Sequence, residues 1–140
     1  ASAGTRVYGF PAIVTVLFDA SGVLRGMRIV TDPRGVRPEI RDDFWSLGTV
    51  LRHHYGEDGW ACAGLPLVEG ERPVSTFLVK DRCTKSIEGA ELSIERRYLQ
   101  RRGQEFIDVR TEAVVPEAFE SLTSFEMIAS SAALPPAPPP

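Results

Sequence analysis

The sequence predicts an α+β fold: an antiparallel, curled sheet of five or so strands, ordered hairpin, helix, then meander, with one main amphipathic helix packed on one face. Three observations predict it. The run from Ala12 to Phe18 is uncharged and largely apolar, and ends in the turn residues Asp19-Ala20-Ser21-Gly22, as a strand entering a hairpin does. Apolar residues recur at helical spacing between Pro38 and Tyr55, the pattern of a helix that hides one stripe. From Ala90 to Leu99 apolar and polar residues alternate, as on a half-buried strand.

In chain order, Ala12, Ile13, Val14, Val16, Leu17 and Phe18 offer apolar side chains to both faces, which suits a central strand covered on both sides. Its hairpin partner is expected over Val23 to Val30, where Val23, Met27 and Ile29 share a face and Arg25 interrupts the pattern. Thr31 to Gly35 reads as a loop. The helix is expected from Pro38 to Tyr55: proline fits the first helical position, Glu39, Asp42 and Asp43 suit the positive end of the helix dipole, and Gly56 suits the stop. Gly48, on the apolar stripe of Phe44, Leu47 and Leu51, predicts a close approach to the sheet. Val74 to Lys80 reads as a strand. In Ala90 to Leu99, Leu92, Ile94 and Tyr98 share one face, and Glu91, Ser93, Glu95 and Arg97 the other. Arg101 to Gln104 reads as a turn, with Glu105 to Arg110 returning as the partner strand. Pro116 to Ser121 reads as a helical turn and Ser124 to Ile128 as a strand. Residues 1–130 are expected to form one domain, and 131–140 a proline-rich flexible tail.

A net charge of −3 over 140 residues argues against general nucleic-acid binding, which needs a basic face. No apolar run is long enough to suggest a membrane span. Lysine occurs only at Lys80 and Lys85, and asparagine is absent; both biases fit a GC-rich coding genome. The opening Ala1-Ser2-Ala3-Gly4 has no charged or apolar leader region, so an exported form is expected to have lost its signal peptide. Cys62 and Cys83 bracket a segment rich in turn residues and are expected to pair as a disulfide. That bond places the protein in an oxidising compartment, periplasmic or secreted.

Few residues carry a pattern that chemistry requires. His53 and His54 are adjacent, so on a helix they diverge by about 100° and do not share a metal easily. Phosphate loops, nucleophile elbows, paired C-x-x-C thiols and calcium loops are all missing from the sequence. No catalytic residue, cofactor or metal is therefore expected. Trp45 and Trp60, residue types that dominate interfaces when exposed, are candidates for binding a partner. So is the cluster Arg96, Arg97, Arg101 and Arg102, whose guanidinium groups suit an acidic protein.

The arrangement of helix on curled sheet resembles that of small bacterial envelope domains, such as outer-membrane-assembly lipoproteins and β-lactamase-inhibitor-like modules. The resemblance carries no residue and no site. The function expected is a non-enzymatic bacterial cell-envelope subunit that binds or scaffolds another protein. The alternatives are a small hydrolase or transferase using His53 or His54 with a nearby carboxylate, or a carrier holding a small hydrophobic ligand between helix and sheet.

Overall fold

The computed structural model of the protein describes residues 4–74, 80–101, 105–107, 112, 114–116, 119–130 and 139. The chain begins with a short hairpin. Strand β1 (Arg6–Val7) turns into β2 (Phe10–Phe18) through Tyr8 and Gly9, whose φ values of 50° and 80° are both left-handed. Two positive φ angles give a two-residue turn the twist that strands need. Next comes the expected hairpin of β2 and β3 (Leu24–Thr31). The Asp19 carboxylate fixes its turn by accepting hydrogen bonds from the Ser21 and Val23 amides at 2.8 and 3.0 Å.

Two short helices follow, α1 (Pro38–Arg41) and α2 (Ser46–His54). The remaining strands are β4 (Ala61–Gly64), β5 (Glu71–Pro73), β6 (Lys80–Ile87), β7 (Ala90–Arg101), β8 (Glu105–Ile107), β9 (Val114–Pro116) and β10 (Phe119–Ala129). Eight strands form one sheet in the order β1-β2-β3-β10-β7-β6-β4, with β5 also pairing β7, and β8 and β9 form a separate ribbon. Every pairing is antiparallel.

This architecture corrects the expected one. The protein is mostly antiparallel sheet, with two helices of four and nine residues among the described residues, rather than an α+β fold built around one main helix. The predicted helix breaks between Arg41 and Ser46, where the Asp43, Phe44, Ser46, Leu47 and Gly48 amides bond three residues back instead of four. The sheet causes the break. Thr123 Oγ1, buried on β10, accepts the Gly48 amide at 2.9 Å and lies 2.8 Å from the Phe44 carbonyl and 3.1 Å from the Trp45 carbonyl. Ser121 Oγ accepts the Trp45 amide at 2.9 Å. The sheet thus supplies the capping that a helix start otherwise takes from its own neighbours.

The meander differs as well. β7 pairs with β6 and β10, and β8 pairs with β9, so Glu105 to Ile107 is not the return strand of β7. Phe119 to Ser121, expected in a helical turn, opens β10 instead. Most of the predicted strand Val74 to Lys80, the turn after Arg101, residues 108–110 and most of the proline-rich tail lie outside the described residues.

The core lies under α2. Ile29, Phe125 and Ile94 stand in one cross-strand row, and Met27, Met127 and Leu92 in the next. Leu47 and Leu51 of α2 join them in one cluster, and of these eight side chains all but Met27 are at most 1% exposed. Each such side chain contributes about 1.5–3 kcal/mol on leaving water. Gly48 allows the close approach: a Cβ there would fall on the Cγ and Cδ of Arg96. At the other end of α2, Lys85 Nζ donates to the Tyr55 and Gly56 carbonyls at 2.7 and 2.9 Å, where a cation suits the helix dipole.

Candidate functional site

β2 is where sequence and fold disagree most usefully. Its composition is that of a strand covered on both faces, yet the fold sets it at the edge of the main sheet. β1 pairs only with Phe10 and Pro11, and the Thr5 carbonyl accepts the Ala12 amide at 3.0 Å. Among the described residues, nothing pairs with β2 beyond Ala12 on that side. The exposed large apolar side chains collect here: Ile13 44%, Val14 38%, Val16 45%, Leu17 51% and Phe18 61%. Val23 and Ile128 extend the patch.

The patch wraps both faces of the sheet. Val14 pairs with Ile29 and Val16 with Met27, so both stand on the face that α2 covers elsewhere. Ile13 and Leu17 stand on the opposite face, where Leu17 Cδ1 and Ile128 Cδ1 flank Gly26. α2 packs over β7 and β10 and stops short of this corner. The strand also offers main-chain groups. Asp32 donates to the Pro11 carbonyl on the β3 side, whereas the Ala12 amide faces away. Because direction alternates along a strand, the amides of Val14 and Val16 face away from β3.

The predicted binding residues do not form one surface. Trp45 is half-buried and stacks on Tyr98, with ring centroids 5.9 Å apart. Trp60 is half-buried at the end of α2, where its Nε1 donates to the Gly56 carbonyl at 2.7 Å and Lys85 Nζ lies 5.6 Å from its ring. Arg96 and Arg97 point to opposite faces. Arg96 binds Asp81 through two hydrogen bonds of 3.1 and 2.6 Å. Arg97 meets Glu120 at 3.3 Å and Glu95 at 3.4 Å. Burial lowers its pKa, but the two carboxylates outweigh that and leave it raised. Arg101 ends β7, and Arg102 lies outside the described residues.

The histidines also diverge. His53 Nδ1 lies 3.0 Å from Glu57 Oε1, with both side chains more than three-quarters exposed. His54 Nδ1 lies 2.6 Å from Tyr8 Oη. An open depression of ≈ 400 Å³ near Tyr8 is lined by Arg6, Phe10, Glu39, Ile40 and Asp43, but by neither histidine. No group of three or more metal-ligating side chains occurs among the described residues. No described helix is long and apolar enough to cross a membrane.

Cys62 and Cys83 form the expected disulfide. They face each other across β4 and β6, and Cys83 is fully buried. The bond is compatible with an extracellular or periplasmic location. No family model, curated protein or solved structure matches the chain.

Proposed function

We propose that the protein is a non-enzymatic binding or scaffolding subunit of a bacterial envelope, periplasmic or secreted, that works through the β2 edge. One observation carries this reading: an uncharged strand, apolar on both faces, stands at a sheet edge where, among the described residues, the outward amides of Val14 and Val16 have no strand partner. Soluble proteins normally blunt such an edge with charge, proline or a bulge. From Ala12 to Phe18 there is neither charge nor proline, and the one register shift against β3 falls at the strand's end, between Leu17 and Phe18. Large apolar patches of this kind mark interaction sites, and an open edge can accept a strand from a partner. The tight cluster of Leu47 and Leu51 against Ile94, Phe125 and Met127 favours this surface over a ligand held between helix and sheet. The divergent, solvent-facing His53 offers no enclosed setting for hydrolysis.

The test is a Val16→Lys variant in native mass spectrometry and pull-down from envelope extracts. A charge in the middle of the patch is expected to abolish partner capture while the variant keeps its fold. Capture at the wild-type level by a folded Val16→Lys protein would remove the proposal.

A further inference from the structure

We propose that the occupant of the β2 edge is the β2 strand of a second copy, paired antiparallel about a two-fold axis through Thr15. This rests on the reading of β2 as the interaction site and names its partner. Four features of the strand support it.

The first is the register. Pairing centred on Thr15 sets Val14 opposite Val16 and Ile13 opposite Leu17, and stops short of Ala12, whose outward amide Thr5 already holds. Every pair joins residues from the same face, because the side-chain period is two. The α2-side row of one copy therefore continues into that of the other. Thr15 meets Thr15, a favourable cross-strand pair.

The second is the hydrogen bonding. The outward groups of β2 belong to Val14 and Val16, by alternation from the Ala12 amide bonded to Thr5. In this register those two residues oppose each other, so both copies donate and accept through them. Centring on Val14 or Val16 would set two Val14 or two Val16 residues opposite each other and shift the pairing off the middle of the patch.

The third is charge. β2 carries none from Phe10 to Phe18, so self-pairing creates no repulsion along the strand. Arg28, beside Thr15 on β3, already has Glu126 beside it in the same row. The two Arg28 residues would stand three strand spacings apart, about 14 Å, which is beyond the screening length at physiological salt.

The fourth is area. Ile13, Val14, Val16, Leu17 and Phe18, with Val23 and Ile128, keep 38–61% of their surfaces open. Pairing of two β2 strands brings the open β2 side chains of both copies into one continuous apolar surface, while Val23 and Ile128 lie beside it, off the paired strand.

Cysteine cross-linking of the full chain tests both the pairing and its register. The native disulfide leaves Cys62 and Cys83 unreactive. Thr15→Cys chains are expected to form covalent dimers readily, since facing Cα atoms of a non-hydrogen-bonded pair lie about 4.5 Å apart. Ile13→Cys chains alone are expected to cross-link poorly, but efficiently when mixed with Leu17→Cys chains. Equal cross-linking of Ile13→Cys alone and in the mixture overturns the register. A wild-type protein that sediments as a monomer at micromolar concentration overturns self-pairing. The broader reading fails separately, if Val16→Lys also leaves capture of other envelope proteins intact.

Discussion

Gly48 sets two residue-level effects against each other. In an exposed helix, alanine would be about 1 kcal/mol better than glycine. Here its Cβ would meet the stem of Arg96 and approach Ile94 Cγ2 to 3.2 Å. Arg96 cannot swing aside cheaply, because Asp81 and Thr49 hold its guanidinium, the latter through a 2.8 Å bond. Overpacking costs about 1–3 kcal/mol, so Gly48→Ala is expected to destabilise despite its helix propensity; urea unfolding measures the net sign. Tyr55 is the opposite case. Its ring stacks on Phe125, with centroids 5.5 Å apart, and its hydroxyl is buried with no hydrogen-bond partner among the described residues. Burial, with the charge of Tyr8 second, pushes its pKa up to about 12. An unfolded tyrosine ionises near pH 10. The folded state therefore holds its proton where the unfolded state has lost it, and stability present below about pH 10 falls as pH rises toward 12. Tyr55→Phe is expected to cost little at neutral pH and to flatten that alkaline decline, read from melting temperatures at stepped pH.

The elements hold together through devices placed far apart in the chain. α2 is too short to be stable alone. It forms because Thr123 and Ser121 cap one end and Lys85 the other, while Leu47 and Leu51 dock between them. At the far edge, β4 is four residues long and exposed throughout, so pairing alone anchors it weakly. The disulfide to Cys83 fixes it across a sequence separation of 21. In the loop-entropy account this contributes about 3 kcal/mol. Reduction, or replacing both cysteines with alanine, is expected to lower stability by about that amount in denaturant titration. Thiol titration of the native protein should find no reactive sulfur. The same segment is held a second way: Lys80 and Glu71, both nearly buried, pair at 3.0 Å, and Lys80 Nζ donates to the Pro66 carbonyl at 3.2 Å.

For the whole molecule, the two edges of the sheet are treated differently. The β4 edge is short and covalently pinned. Among the described residues, the β2 edge is apolar and without a strand partner beyond Ala12, which is the feature the proposed pairing uses. Val16→Lys lies outside the packed cluster, so it is expected to change thermal stability by less than about 0.5 kcal/mol while removing assembly. Circular dichroism beside sedimentation separates these outcomes. Wild-type β2 unpaired in dilute solution is expected to promote association through its exposed edge, with slower aggregation in the lysine variant.

Local chemistry alone determined much of this protein. The β2–β3 hairpin was legible because Asp19 and Gly22 are turn residues wherever they stand, and β7 because its alternation survives any neighbour. The disulfide pair was legible because only two cysteines exist. Tertiary structure decided the rest. The break at Asp42 to Trp45 comes from hydroxyls on β10, some 75 residues away, which no local window contains. β6 was missed because its polar residues are buried by partners, Asp81 by Arg96 and Lys80 by Glu71, and β4 because four small, exposed residues carry no strand pattern of their own. The arginines read as one cluster because neighbours in sequence were taken as neighbours in space, whereas Arg96 and Arg97 face opposite sides of the sheet. Composition gave β2 its apolar character on both faces, but only strand order could place it at an edge, because pairing between distant segments decides which strand is left without a neighbour.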